Sequence, residues 1–336
     1  MNKLLDGDIA TVNQLIDAED PFPYLLWKKG KNNNWDPTNI NMEQDIKQWK
    51  SDQILSDDER LLIQRLLGFF SAGESLVNNN LMIAIPLYIT DGGCRQYIAR
   101  QIFEESLHNG TMAVCCAAYG LKVKEVSNAY KNIPTIKAKV EYMTSVTSNL
   151  MRKDFDITTI EGKQEFIRNL FTFYIICEGM YFYSGFAMAM ALGRQNKMTG
   201  LCDQVRYTLR DESIHIEFGT YVLNRLQREY PEVWTPDFYR ELFGILSQAK
   251  DLEIAYAKDA LPNGILGLNA GMFIDYMGFI GNRRVSDLQF PSELRFPNVK
   301  NPFPWLSETM DMQAMGAFFE RHERSYQQAG ALEDDL

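Results

Sequence analysis

Apolar positions along this chain recur mostly at three- and four-residue spacing, the pattern of an amphipathic helix. The clearest start is Ser56-Asp-Asp-Glu59, where serine and glutamate can cap each other's free amides before an apolar pattern that runs to about Leu87. Gly120 and Pro262-Asn263-Gly264 are typical helix ends. Alternating runs of strand length are few, so an all-α protein is predicted. The predicted helices cover approximately residues 56–87, 93–119, 136–151, 171–192, 200–230, 235–261 and 266–287.

The run 171–192 is apolar enough to cross a bilayer, but Glu178 lies well inside it. A carboxylate in hydrocarbon is costly, so we interpret this run as a buried helix of a soluble protein without a membrane contact. A buried Glu178 then needs a partner that offsets the cost of its burial.

The composition restricts the classes of binding partner and the cellular compartment that are expected for this protein. With 34 Lys and Arg against 44 Asp and Glu, the chain of 336 residues carries a formal charge of -10, which argues against nucleic acid or an anionic membrane as its main partner. The five cysteines are an odd number without a CxxC pair, and the first thirty residues lack a basic start followed by an apolar stretch. We therefore expect a cytoplasmic protein. Its predicted organisation is one domain over 1–320, with an irregular segment over 1–25, and a flexible tail over 321–336.

Histidine is scarce, with only His108, His215 and His322 in the chain. Two of them follow a glutamate by three residues, in Glu105-Ser-Leu-His108 and Glu212-Ser-Ile-His215. On a helix this spacing puts both side chains on one face, where they can converge on one ion. His322 has no such glutamate and falls in the predicted tail.

Two further carboxylates, Glu74 and Glu178, occupy positions where an apolar helix face is expected. Four carboxylates and two imidazoles are hard and borderline ligands, which favour iron or manganese over copper(I) or structural zinc. One Glu from each of two helices and one Glu-x-x-His from each of two others is the ligand pattern of ferritin-like dinuclear carboxylate proteins. The sequence therefore predicts a ferritin-like helical bundle with a dinuclear carboxylate metal site.

These residues, in their order and flanking sequence, resemble the radical-generating beta (small) subunit of class I ribonucleotide reductase over nearly the whole chain. The segments that carry the resemblance are Asn34-Trp35-Asp36-Pro37, Gly68-Phe-Phe-Ser-Ala-Gly-Glu74-Ser, Phe103-Glu-Glu105-Ser-Leu-His108, Glu178-Gly-Met-Tyr-Phe182-Tyr-Ser-Gly, Arg210-Asp211-Glu212-Ser-Ile-His215 and Asn301-Pro-Phe-Pro-Trp305.

The resemblance implies a role for each of these positions. It assigns Glu74, Glu105 and His108 to one metal and Glu178, Glu212 and His215 to the other, with Glu105 and Glu212 as bridges. Trp35 and Asp211 become an inner link for radical transfer, and Tyr326 an outer link. Phe182 and Phe186 line the cavity at the metals.

The resemblance also implies partners and an activity. The chain would be the beta subunit of a ribonucleoside-diphosphate reductase, would form a homodimer, and would dock the catalytic alpha subunit through the tail that ends at Leu336. The sequence has no Gly-rich phosphate loop at a strand-to-helix junction, so we expect ribonucleotide binding and reduction on the alpha subunit.

Two departures from the family pattern concern where the oxidising equivalent is stored. The position of the usual radical tyrosine, four residues after His108, holds Met112, which has no phenol. The first ligand, usually aspartate, is Glu74, as in the chlamydial-type subgroup that lacks the radical tyrosine and uses a manganese-iron cluster. We therefore expect a metal-centred oxidant, with Mn/Fe preferred over Mn/Mn or Fe/Fe.

Tyr207 matches a tyrosine that delivers an electron during activation in the chlamydial-type proteins. Its usual partner position, two residues beyond Met112, holds Val114 in this chain. Two other functions remain open. One is a ligand-binding Mn/Fe oxidase of the same helical superfamily, and the other is a redox-inert metal-binding protein.

Overall fold

In a computed structural model of the chain, the described residues are 3–5, 7 and 19–308. The chain divides into two compact units, residues 1–300 and residues 301–336. In the second unit the Phe303 amide donates to Asn301 Oδ1 at 2.9 Å, and residues 304–308 are helical. The predicted domain boundary at residue 320, His322 and the predicted tail lie outside the described residues.

The first unit is built from helices, and its described residues include no β-strand, as predicted. The elements are α1 (Phe22–Asn32), a 3-10 turn (Pro37–Asn39), α2 (Glu43–Trp49), α3 (Asp57–Ile83), α4 (Ile85–Tyr88), α5 (Gly92–Tyr119), α6 (Val123–Ser127), α7 (Ala129–Asn132), α8 (Pro134–Val146), α9 (Ile160–Leu170), a π-helical segment (Phe171–Tyr181), α10 (Phe182–Gly193), α11 (Thr199–Glu229), a second 3-10 turn (Pro231–Val233), α12 (Pro236–Ala260) and α13 (Met272–Asp287).

Local capping chemistry sets the ends of the long helices. The capping box before α3 is confirmed, because the Ser56 amide donates to Glu59 Oε2 at 2.9 Å and the Glu59 amide to Ser56 Oγ at 3.2 Å. Gly120 ends α5 with a φ of 68°, the left-handed conformation that glycine adopts without a steric cost. The Thr235 side chain accepts from the Phe238 amide and begins α12, also as predicted.

Several predicted bounds were wrong. The helix predicted over 56–87 is two helices, since Pro86 has no amide to donate and is tolerated only in the first turn of a new helix, α4. The helix predicted over 136–151 ends at Val146, where Thr147 is extended. The helix predicted over 266–287 begins only at Met272, because Gly267 has a φ of 77° and residues 265–268 close a tight turn instead. The predicted irregular segment over 1–25 overlaps α1, which begins at Phe22.

The apolar run around Glu178 is a buried core helix. It continues from α9 through the π-helical segment into α10, and its most apolar window is wholly buried, although this helix is long enough to cross a membrane. In the π-helical segment the Gly179 carbonyl accepts from Arg284 Nε of α13 at 2.9 Å, so a neighbouring helix satisfies a backbone group in the widened turn. This segment carries Glu178 into the centre of the bundle.

Candidate metal centre

Four elements of the bundle bring the six predicted ligands together. Glu74 lies on α3, Glu105 and His108 on α5, Glu178 on the π-helical segment, and Glu212 and His215 on α11, and all six side chains are fully buried. Their ligand atoms form two overlapping groups in which every atom lies within 4.8 Å of the others. One group is Glu74, Glu105, His108 and Glu212, and the other is Glu105, Glu178, Glu212 and His215.

Glu105 and Glu212 belong to both groups. His108 Nδ1 lies 3.1 Å from Glu212 Oε1 and 3.6 Å from Glu105 Oε2. His215 Nδ1 lies 3.0 Å from Glu105 Oε1 and 3.3 Å from Glu212 Oε2. Each of the two carboxylates therefore directs one oxygen to each imidazole, the arrangement that a bridging ligand requires.

The donor atoms of this cluster lack ordinary partners. Both oxygens of Glu74 and of Glu105, one oxygen each of Glu178 and Glu212, and His108 Nδ1 have no hydrogen-bond partner among the described residues. Buried polar atoms are almost always paired, and buried charges are paired or bind metals. Four buried carboxylates with unused oxygens around two imidazoles fit a pair of divalent cations.

The electrostatics of the metal-free cluster agree with this fit. Burial raises the pKa of Glu74 and that of Glu178 well above their ordinary range, and the charges of Glu105 and Glu212 add to both shifts. Burial alone would lower the pKa of His108, but the charge of Glu74 and neighbouring carboxylates raise it well above its ordinary range. Burial and mutual repulsion thus make the ionised carboxylates costly, a cost that bound cations would offset.

Asp211 connects His108 to Trp35, as predicted. Trp35 Nε1 donates to Asp211 Oδ2 at 2.7 Å, and the same oxygen lies 3.5 Å from His108 Nε2. Because this contact engages Nε2, Nδ1 of His108 stays directed at the cluster, and the contact orients the imidazole.

Glu104 has the corresponding position at the other imidazole and was missed by the sequence reasoning. Its Oε2 lies 2.9 Å from His215 Nε2, and its Oε1 accepts from Arg100 Nε at 2.8 Å. The signal was present, because an acidic residue precedes the ligand glutamate in both Glu104-Glu105-Ser-Leu-His108 and Asp211-Glu212-Ser-Ile-His215. The contacts cross between helices, since each outer carboxylate meets the histidine of the other motif.

Three of the remaining predicted residues are buried close to ligand-bearing turns. Met112 is buried on α5, one turn beyond His108. Phe182 and Phe186 are fully buried and pack on Phe70, one turn before Glu74, with ring centroids 5.4 and 5.6 Å away. Tyr326 lies outside the described residues.

Tyr207 has an aromatic neighbour that the sequence analysis did not predict. It stacks on Trp35 with ring centroids 5.2 Å apart and planes inclined by 17°, and it is 38% exposed. The Val114 side chain is only half-buried. An aromatic contact therefore joins the protein surface to Trp35 without a tyrosine at position 114.

Comparison with known proteins gives the family. The family model described as "Ribonucleotide reductase, small chain" matches residues 12–302. The ribonucleoside-diphosphate reductase subunit beta of Chlamydia pneumoniae is 45% identical over 329 residues, which cover 98% of this chain and 94% of that protein.

Solved structures agree on the fold. The ribonucleotide reductase R2 subunit from Clostridium botulinum has a TM-score of 0.80 at 22% identity, over 92% of this chain and 94% of that one. An R2-like ligand-binding oxidase with a reconstituted Mn/Fe cofactor has a TM-score of 0.67 at 22% identity, over 81% of this chain and 95% of that one. The predicted ferritin-like bundle is thus confirmed, and the buried cluster supports a dinuclear metal site. On the family match and the 45% identity, the chain belongs to the small-chain family of ribonucleotide reductases.

Proposed function

We propose that this chain is the radical-generating beta subunit of a ribonucleoside-diphosphate reductase and that its six buried ligands hold two metal ions. The observation that carries the proposal is the pair of Glu-x-x-His motifs that share Glu105 and Glu212, with Trp35 and Asp211 extending outward from His108. A metal-storage protein would not need an aromatic side chain hydrogen-bonded to the outer partner of a ligand.

Each ligand has a definite task in this proposal. Glu74 and His108 would hold one ion, Glu178 and His215 would hold the other, and Glu105 and Glu212 would supply an oxygen to each. When bound, the pair of ions supplies the one-electron oxidant that starts ribonucleotide reduction on the alpha subunit. The surrounding side chains exclude water, since Phe182, Phe186 and the ligands themselves are fully buried.

We propose Mn/Fe as the metal pair, with the oxidising equivalent kept on the metals. Met112 supports this, because a buried thioether stands where a phenol would be needed for a tyrosyl radical. The 45% identity to a chlamydial relative supports it as well. Mn/Mn and Fe/Fe are the alternatives that metal analysis separates.

Trp35 is proposed as the inner residue of radical transfer. Its indole N-H is held by the Asp211 carboxylate, a charge-assisted hydrogen bond that also places the ring at a centroid distance of 6.4 Å from His108. Tyr207, stacked on Trp35 and partly exposed, is proposed to accept the activation electron at the surface. Tyr326 and the tail 321–336 are proposed to complete the route and dock the alpha subunit of a cytoplasmic enzyme, with this chain as a homodimer.

The test is electron paramagnetic resonance and metal quantification on the activated full-length chain, with reduction of a ribonucleoside diphosphate measured in the presence of the alpha subunit. We expect a metal-centred signal, one manganese and one iron per chain, and turnover that Tyr326→Phe abolishes without changing the metal content. A tyrosyl doublet with two irons and full activity would contradict the metal-centred oxidant. Redox inertness and no binding to the alpha subunit would select metal storage, and a long-chain ligand extracted with the metals would select the oxidase.

A further inference from the structure

A hydrogen-bonded chain of two uncharged side chains reaches one of the ligands. Tyr174 Oη donates to Gln101 Oε1 at 2.9 Å, and Gln101 Nε2 donates to Glu178 Oε1 at 3.2 Å. All three side chains are fully buried. Gln101 lies on α5, one turn before Glu105, and Tyr174 lies four residues before Glu178 in the π-helical segment.

The chemistry of the three groups fixes which of them donates and which accepts in each of these two hydrogen bonds. As a metal ligand, Glu178 is ionised and can only accept hydrogen bonds, so the amide nitrogen of Gln101 must face it. The amide oxygen of Gln101 then faces Tyr174, and the phenol must donate. The Tyr174 hydroxyl therefore prevents the Gln101 amide from turning its oxygen toward Glu178, which would place two acceptors against each other.

Close packing fixes the Tyr174 ring. A Cβ atom added at Gly219, one turn beyond His215 on α11, would lie 2.3 Å from Tyr174 Cγ, so only glycine allows this approach. Phe218 packs edge-on against the same ring with centroids 6.0 Å apart. The ring of the residue that orients Gln101 is therefore held against α11.

Within the part of the chain that the structure describes, the other half of the centre has no such support. Both oxygens of Glu74 are without a hydrogen-bond partner among the described residues, whereas Glu178 Oε1 accepts from Gln101. Each carboxylate is fully buried and belongs to one of the two ligand groups, and Glu74 Oε2 also lies 3.5 Å from His108 Nδ1. Among the described residues, Glu178 therefore differs from Glu74 in having an uncharged hydrogen-bond partner, Gln101, which Tyr174 orients in turn.

We infer that Gln101 and Tyr174 are positioning residues for the metal ion held by Glu178 and His215, and that they act through Glu178. Preorganised ligands lose less freedom when they bind, and outer partners of metal ligands typically affect affinity 10- to 100-fold. The inference rests on the proposed metal ligation. It assigns the difference in metal affinity between the two half-sites to Gln101 and Tyr174.

The test uses the metal-free full-length chain titrated with Mn(II) without oxygen, with free Mn(II) followed by its electron paramagnetic resonance signal. Anomalous diffraction from crystals at substoichiometric Mn(II) reports which half-site is filled. Gln101→Leu, close in shape but without a donor, should weaken the Glu178–His215 half-site about 10- to 100-fold and leave the other nearly unchanged. Tyr174→Phe should shift affinity in the same direction by less, and the double variant should equal Gln101→Leu, because Tyr174 acts through Gln101.

Tyr97→Phe is the matched control. Tyr97 is also a fully buried tyrosine that packs on Phe218, with centroids 4.3 Å apart and planes inclined by 38°, but its hydroxyl has no hydrogen-bond partner within the described part of the chain. We expect wild-type Mn(II) affinity at both half-sites for this variant. Equal weakening by Tyr97→Phe and Tyr174→Phe would overturn the inference, because a general packing effect would then explain both.

Failure of the inference is distinguishable from failure of the proposed function. If the wild-type chain binds two ions but Gln101→Leu binds both as tightly, or weakens both half-sites equally, the positioning role is wrong and the dinuclear site stands. If the wild-type chain binds no pair of ions at the six ligands, the proposed function itself is wrong. Thermal unfolding of each metal-free variant verifies that a change in affinity comes from a folded protein, and Tyr174→Phe keeps the test available if Gln101→Leu does not fold.

Discussion

A buried ion pair outside the metal centre gives a sharp test of the packing. Lys139 Nζ of α8 lies 2.5 Å from Glu253 Oε2 of α12, and both side chains are fully buried. The ammonium is surrounded by aromatic rings, 3.2 Å from the centroid of Phe69 and 4.2 Å from those of Tyr181 and Tyr256. The perturbation is Lys139→Met, alone and combined with Glu253→Leu.

The magnitude follows from the distance and the burial. At an effective dielectric constant of about 20, two unit charges at this separation attract by about 7 kcal/mol, but removing each ion from water costs several kcal/mol. The net contribution of the pair is therefore small, whereas a single substitution leaves one charge buried without its partner. We expect Lys139→Met to lower the free energy of unfolding by about 3 to 5 kcal/mol. The loss in the double variant should be smaller than this by about 2 kcal/mol or more.

Equilibrium denaturation of the metal-free chain at one protein concentration measures these differences, with Glu253→Leu completing the double-mutant cycle. The exposed pair Lys47 and Glu43, with side chains 72% and 70% exposed and 2.6 Å apart, is the control. Its cycle should show no measurable coupling, because solvent screens both charges. If the losses from Lys139→Met and Glu253→Leu simply add in the double variant, the pair is not coupled and this reasoning is refuted.

Three further predictions concern the same lysine and the outer residues of the centre. Burial lowers the pKa of Lys139 to about 8 from the ordinary 10.5, so between these pH values the unfolded chain binds more protons than the folded chain. Denaturation across this pH range should therefore show the wild type gaining stability relative to Lys139→Met as the pH rises. A stability difference that stays constant with pH would contradict this prediction. Glu104→Ala should weaken Mn(II) binding about 10- to 100-fold, because it removes the partner of His215 Nε2. Glu104→Gln keeps an oxygen at this position and should lose less affinity. Equal losses of affinity in metal titrations of the two variants would exclude an orienting role for Glu104. Tyr207→Phe should slow activation followed by stopped-flow absorption but leave turnover of the activated protein unchanged, and a proportional loss of turnover would place Tyr207 on the catalytic route instead.

Local patterns in the sequence were sufficient to predict the long helices and to select the candidate ligands. The capping box at Ser56, the C-terminal glycine Gly120 and the Glu-x-x-His spacing depend only on residues within one or two turns, and helix geometry is the same in every protein. A carboxylate on an apolar face, as at Glu74 and Glu178, is likewise visible in the sequence because its burial needs a partner. These signals predicted the all-α fold and a dinuclear site.

Contacts between helices were decided only by the tertiary structure. Glu104 meets His215, Tyr207 meets Trp35, and Lys139 meets Glu253 across pairs of elements far apart in the chain. A local pattern states which face of a helix is buried, but not the rotation and register at which two buried faces meet, since those are set by the packing of all neighbouring side chains at once. For the same reason the sequence indicated which groups could bind metal ions, and only the fold showed which other side chains contact those groups.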